Sequence, residues 1–205
     1  MAVPIRAVIF DFGKVVCDFD IGRFLSRAAL YSTKSPAELR AVMTSATPIA
    51  THYETGEMTS DEFYQAICNL ASLDMPKAKF IDAYTDIFTP IPRTFELIKR
   101  LKGSYRLALL SNTSEWHFKE GIRPVAVFPL FDTVTLSFQV KAMKPDPRIY
   151  QDAIQKLDLP ADACIYIDDI AEFVEAGRVL GLHGIHYTSH EQLVTDLRLL
   201  GVRAE

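Results

Sequence analysis

Ala7-Val8-Ile9-Phe10-Asp11-Phe12-Gly13-Lys14-Val15-Val16 is the stretch whose reading decides the fold. An apolar run of β type ends in a single aspartate, and a glycine follows two residues later. A run of roughly four to eight apolar residues that stops at turn chemistry reads as a strand buried on both faces. Open α/β sheets place their ligands just beyond the carboxyl ends of such strands. Asp11 therefore has two readings, a turn residue closing the strand or a carboxylate at the ligand-binding edge.

Three later segments decide between them. Leu107-Ala108-Leu109-Leu110-Ser111-Asn112-Thr113 is an apolar run that delivers a hydroxyl, and Lys144-Pro145-Asp146-Pro147 sets a lysine just ahead of helix-start signals. Cys164-Ile165-Tyr166-Ile167-Asp168-Asp169 is a further apolar run, ending in two adjacent carboxylates. Singly, each has an ordinary explanation: a turn for Ser111 and Asn112, a solvated surface residue for Lys144, a helix N-cap for the acidic pair. Together, in this chain order, they resemble the four motifs of the haloacid dehalogenase (HAD) superfamily. The resemblance spans nearly the whole chain.

Helix starts without β alternation occupy the chain from about Ile21 to Ile87. Ser35-Pro36-Ala37-Glu38 and Thr59-Ser60-Asp61-Glu62 are capping boxes, the second leading into a face of Phe63, Ile67 and Leu70. Helical stretches are also expected from Phe24 to Tyr31 and from Pro76 through Ile87. Strand and helix then alternate: a helix from Thr94 to Lys102, a strand from Arg106 to Leu110, a short helix from Thr113 to Glu120 and a β segment from Phe131 to Val134. A helix after Asp146-Pro147, a strand from Cys164 to Ile167, a helix ending at Gly181, a strand from Gly184 to Tyr187 and a helix after Ser189 complete the series. This predicts an α/β fold, a Rossmann-like doubly wound parallel sheet with a small helical cap inserted after the first strand. The expected core is residues 1–16 and 88–205, and the expected cap is 17–87.

The chain has 205 residues, 49% hydrophobic and 23% charged, with a net charge of −4, which argues against a nucleic-acid surface. Cys17, Cys68 and Cys164 are odd in number and contain no CxxC pair, so neither a disulfide framework nor a zinc site is expected. The apolar start, Met1 to Phe10, lacks the shape of a signal peptide, and no apolar run approaches the ~18 residues of a membrane span. The expectation is a cytoplasmic monomer or homodimer acting on a small phosphorylated metabolite, with no nucleic acid and no membrane.

What the resemblance implies for chemistry is specific. Asp11 would be nucleophile and metal ligand, the Gly13 carbonyl and Asp169 would ligate Mg²⁺, and Asp168 would act through water or from behind. Ser111 and the Asn112 amide would bind the phosphoryl group, and Lys144 would neutralise it and restrain Asp11. Lys141 reads as a surface lysine. The departure is Gly13, because phosphatases of the superfamily usually carry there the aspartate that protonates the leaving oxygen.

Glycine at that position, with Asp18-Phe19-Asp20, His52-Tyr53-Glu54-Thr55-Gly56-Glu57 and His117, resembles the bacterial α-D-glucose-1-phosphate phosphatase group. His52 to Glu57 is a candidate substrate contact, or else a helix-to-turn connection ending at Gly56. His117 or Asp18 would replace the missing acid, and a sugar 1-phosphate would need it least. The reading is a Mg²⁺-dependent phosphatase that hydrolyses a small phosphate monoester, with sugar phosphates the candidates, through a phospho-aspartyl intermediate on Asp11.

Three alternatives compete. A haloacid dehalogenase-type hydrolase would use Asp11 without a metal, and metal-free relatives lack such an acidic pair. A phosphorelay receiver would carry its acidic pair at the first strand and have no helical insert there. A degenerate, non-catalytic HAD-fold binding protein would not be expected to keep Asp11, Ser111, Lys144 and Asp169 together.

Overall fold

The computed structural model describes residues 3–203. β1 (Ala7–Phe10) is wholly buried, and its side chains alternate, Val8 and Phe10 entering one core and Ala7 and Ile9 the other. The chain turns at Lys14, which takes a left-handed φ of 59°, into β2 (Cys17–Phe19). Five helices follow: α1 (Ile21–Ala28), α2 (Pro36–Ser45), α3 (Thr47–Glu54), α4 (Ser60–Ala71) and α5 (Lys77–Thr85). β3 (Phe88–Pro90) returns antiparallel to β2, so a two-stranded ribbon closes the neck of the insert.

α6 (Pro92–Leu101), β4 (Arg106–Ser111), β5 (Thr133–Leu136), α7 (Ser137–Val140), α8 (Pro147–Leu157), β6 (Cys164–Asp168), α9 (Ala171–Val179), β7 (His183–His186) and α10 (His190–Leu199) complete the chain. The main sheet runs β5-β4-β1-β6-β7, and every pair in it is parallel. It is the doubly wound, Rossmann-like α/β fold. The chain winds from β1 outward to β5 and then crosses to β6, so the strand order reverses at β1, where such sheets open a crevice at their carboxyl ends. One face packs on α6 and α10 through Leu97, Ile98, Leu193 and Leu197, the other on α8 through Ile149, Tyr150 and Leu157.

Local capping explains the insert's helices. Ser35 Oγ accepts from the Glu38 amide at 3.3 Å while Glu38 accepts from the Ser35 amide at 2.7 Å, and Thr59 and Glu62 repeat the device. The insert's core is aromatic: Phe24, Phe63, Phe80 and Tyr84 cluster with Trp116, which arrives from beyond β4. Phe80 is fully buried, with its ring 5.3 Å from Phe24 and 5.2 Å from Tyr64. Phe80→Ala should cost about 3–5 kcal/mol, read as a lowered urea midpoint; an unchanged midpoint would show that the cluster does not hold the insert.

Some elements differ from expectation. The helix expected from Thr113 to Glu120 begins two residues later and widens into a π turn over His117–Ile122. Thr113 cannot start it, because its amide and carbonyl are both bonded to the Ser137 hydroxyl, at 2.9 and 3.0 Å. The segment expected at Phe131 to Val134 pairs instead over Thr133–Leu136, since the Asp132 carboxylate accepts the Leu107 amide at 2.8 Å and ends the ladder there. The last strand is His183–His186 rather than Gly184 to Tyr187. α3, with no side-chain cap and only Tyr53 buried, is marked in the sequence by Pro48 in its first turn. The three cysteines are free, and burial pushes the Cys17 thiol up to about 12.

Candidate active site

The site begins at the end of β1. The Asp11 amide donates to the Ile167 carbonyl at 2.9 Å, so the ladder with β6 holds the residue one step past the strand. Lys144 Nζ then donates to Asp11 Oδ1 at 2.7 Å and to Asp168 Oδ2 at 2.6 Å. All three side chains are nearly or wholly buried. Asp168 is held further, its Oδ2 accepting from the Tyr166 hydroxyl and its Oδ1 from the Ile170 amide at 2.8 Å.

Lys144 is itself positioned by β4. Asn112 Oδ1 accepts from the Lys144 amide at 2.8 Å, and Asn112 Nδ2 donates to the Lys144 carbonyl at 3.1 Å. A side-chain amide offers a donor and an acceptor side by side and so matches a peptide unit. The role of Asn112 is therefore not confined to its backbone amide. Its side chain locks the lysine loop to the sheet.

Burial raises the Asp11 carboxyl above its usual range, against the pull of the Lys144 ammonium and with the push of Asp168. For Lys144, burial acts downward but Asp11 and Asp168 prevail, and the ammonium is stabilised. Asp169, less buried, is raised by burial and then by Asp168. Ligand oxygens of Asp11, Asp168 and Asp169 all lie within 4.8 Å of one another. Three carboxyl groups face one ammonium, so acidic oxygen is in excess at the site. That excess and the all-oxygen donor set fit a hard divalent cation such as Mg²⁺.

Beside the carboxylates opens a cavity of about 280 Å³. Its floor includes Gly13, Ser111, Asn112 and Thr113, and its walls include the rings of Phe19, Phe63, Tyr84 and Phe88. Glu54 and His117 are its titratable members besides Tyr84. Lys144 holds Asp11 Oδ1, and the other oxygen, Oδ2, lies toward Gly13, 3.9 Å from where a Cβ on that residue would sit.

The two expected substitutes for the missing acid are otherwise engaged. His117 stacks on Tyr84 with ring centroids 4.0 Å apart, and its Nε2 meets the Tyr84 carbonyl at 3.0 Å. A carbonyl only accepts, so Nε2 carries the proton, and burial lowers the ring's pKa to about 4. Asp18 is exposed outside the cavity, its carboxylate held below the usual range by hydrogen bonds from Lys14 and the Phe19 amide. Lys141 is exposed as expected but donates to the Gly56 carbonyl, tying the insert to the core. His52 is also exposed, 3.8 Å from Glu57, and Glu54 is the member of His52 to Glu57 that reaches the cavity.

A model of the haloacid dehalogenase-like hydrolase family matches residues 5–181. The chain belongs to that family. It is a hydrolase, and the superfamily suggested by its four motifs is the one it falls in. A D-ribitol-5-phosphate phosphatase of Bacteroides thetaiotaomicron is 26% identical over 86% of this chain and 89% of its own length. The sesquiterpene phosphatase astK of Aspergillus oryzae is 24% identical, with 98% of both chains covered. Among solved structures, a HAD family enzyme of Bacteroides thetaiotaomicron in complex with magnesium and inorganic phosphate superposes with a TM-score of 0.77. It is 20% identical, over 90% of this chain and 94% of its own. An L-2-haloacid dehalogenase superposes at 0.66 with 21% identity, covering 91% of this chain and 89% of its own. One fold therefore serves ester and carbon–halogen chemistry, and the site must decide between them. No helix among the described residues is long and apolar enough to cross a membrane.

Proposed function

We propose that this hydrolase is a Mg²⁺-dependent phosphatase of small phosphate monoesters that works through a phospho-aspartyl intermediate on Asp11. The observation that carries the reading is the buried Lys144 bridge between Asp11 and Asp168, with Asp169 as third carboxylate. Displacing halide from carbon needs no such excess of acidic oxygen, whereas an anionic nucleophile meeting an anionic phosphate needs a cation. Mg²⁺ held by Asp11, Asp169 and the Gly13 carbonyl, with Asp168 behind, would supply that neutralisation.

Asp11 Oδ2, the oxygen Lys144 leaves free, attacks phosphorus, and the bond to the ester oxygen breaks with its electron pair going to the leaving group. Lys144, already fixed on Oδ1, holds the carboxylate in one orientation and meets the developing negative charge. Ser111 and the amides after β4 bind the remaining phosphoryl oxygens. Water then attacks phosphorus and frees the Asp11 carboxylate.

The cavity's size limits the organic group. The glycine at position 13 and the polyol phosphate named in one relative favour sugar phosphates, while the aromatic walls also suit the apolar group of the kind named in another. The test is a panel of sugar 1-phosphates, polyol 5-phosphates, prenyl phosphates and a 2-haloacid, each with Mg²⁺ and after EDTA. Phosphate release that stops with EDTA is expected; halide release that survives EDTA would overturn the proposal.

The two acidic neighbours should also separate. Asp169→Ala should raise the Mg²⁺ concentration for half-maximal rate about tenfold or more with little change in Tm. Asp168→Ala, which removes one of Lys144's two carboxylate partners and the partner of the Tyr166 hydroxyl, should chiefly lower Tm. Equal Mg²⁺ dependence in both variants would contradict this division.

A further inference from the structure

Glu54, the last residue of α3, has no part in the steps above, yet its side chain lines the cavity with Gly13 and Ser111. The same cavity is lined mostly by apolar groups, Met43, Ala50 and Phe63 among them, and the Tyr84 hydroxyl feels the Glu54 charge. The carboxyl is partly buried and makes neither a hydrogen bond nor an ion pair with any described residue. A carboxylate withdrawn from water without a partner is costly, and the economical state is the protonated one.

The backbone around Glu54 is clamped to the core on both sides. Tyr53 Oη accepts from the Trp116 amide at 3.2 Å and meets Ser60 Oγ at 2.8 Å; Ser60 in turn meets Glu115 at 2.5 Å. Because the Glu115 carboxylate only accepts, Ser60 donates to it and Tyr53 donates to Ser60. On the other side, Gly56, at a left-handed φ of 63°, lies so near the Phe138 carbonyl that a Cβ would come within 2.2 Å of its oxygen, and its own carbonyl accepts from Lys141. Only glycine permits that approach. Glu54 is therefore held over the cavity rather than carried on a free helix end.

We propose, resting on the phosphatase reading above, that Glu54 is the general acid and base of the reaction, supplying from the insert the proton that Gly13 cannot. As the P–O bond breaks, the leaving oxygen takes the electron pair and the Glu54 proton, giving the alcohol, a Glu54 carboxylate and phospho-Asp11. The carboxylate then accepts a proton from the water that attacks phosphorus. Phosphate departs, the Asp11 carboxylate reforms, and Glu54 is again protonated.

The protonation state suits this cycle. Burial lifts the Glu54 carboxyl from 4.5 to about 7, near the pH at which an acid that must also act as a base works best. The groups facing it do not compete. His117 is neutral, the Tyr84 hydroxyl is raised well above its usual range by burial, and the Tyr53 hydroxyl is committed to Ser60. Lys141 donates to the carbonyl of Gly56, two residues beyond Glu54, and is spent there.

Glu54→Gln keeps the shape and removes the proton. The experiment is kcat/KM over esters of increasing leaving-group basicity, from p-nitrophenol to simple alkanols, for wild type, Glu54→Gln and Glu54→Asp. Wild type should give a shallow series and Glu54→Gln a steep one, with losses of about 10²–10⁴-fold for alkyl esters and far smaller ones for p-nitrophenyl phosphate. Glu54→Asp should recover part of the loss. A uniform loss across the series, or none, would overturn the role of Glu54 while leaving the phosphatase reading standing. A wild-type protein that releases phosphate from no ester would overturn both.

A stability readout is independent of turnover. A carboxyl raised on folding stabilises the protein below its unfolded pKa, and that contribution is lost as pH rises through the folded value. The Tm of Glu54→Gln should match wild type near pH 4 and exceed it near pH 8. A difference that does not vary with pH would overturn the buried, protonated carboxyl on which the proposal depends.

Discussion

Asp11→Asn should abolish phosphate release, with kcat lower by on the order of 10⁴-fold or more, in a protein that remains folded. The amide keeps the shape of the carboxyl and an oxygen for the Lys144 bond, which is 2.7 Å long in the wild type. It also removes one of the carboxylates crowded around the lysine. What it loses is the anionic oxygen that Lys144 leaves free. The check is a phosphate-release assay on the best substrate beside a thermal melt, with trapping of labelled phosphoryl group on the protein. Wild type should carry an acid-stable, hydroxylamine-sensitive label and the variant none. Turnover near wild type would remove Asp11 from the reaction.

Lys144→Met should weaken both the folded state and the reaction. The ammonium neutralises Asp11 and Asp168 where neither reaches water freely, so removing it leaves two like charges buried side by side. Breaking a buried ion pair from one side costs about 3–5 kcal/mol, and activity should fall by roughly 10²–10³-fold with the loss of charge stabilisation. Urea denaturation measures the first and the phosphate assay the second. Adding Asp168→Asn to Lys144→Met should cost less than the sum of the single changes, because the second removes a charge the first exposed. Strict additivity would mean that the three groups do not act as a unit.

Local chemistry made much of the molecule legible. The β-type runs ending in Asp11, Ser111 and Asp168 are the central strands, and the capping boxes at Ser35 and Thr59 start α2 and α4 where the spacing placed them. Each of these signals lies within about four residues along the chain, the range over which propensity and capping operate. The misplaced elements failed for the opposite reason. Ser137, 24 residues away, occupies the backbone groups of Thr113, and Asp132 ends a ladder by reaching back 25 residues to Leu107.

The same division runs through the active site. The residue types and their order along the chain, Asp11, Ser111, Lys144 and the Asp168-Asp169 pair, are properties of the sequence alone, as is the missing carboxyl at Gly13. Only the tertiary structure brings Lys144 to Asp11 across 133 residues, uses the Asn112 side chain to hold it, and ties His117 to the Tyr84 carbonyl. It alone sets Glu54 at the cavity, because no periodicity marks a carboxyl whose importance lies in an apolar setting without a partner among the described residues. Burial and charge proximity depend on which distant segments meet, and at those meetings a common residue type acquires an uncommon proton affinity.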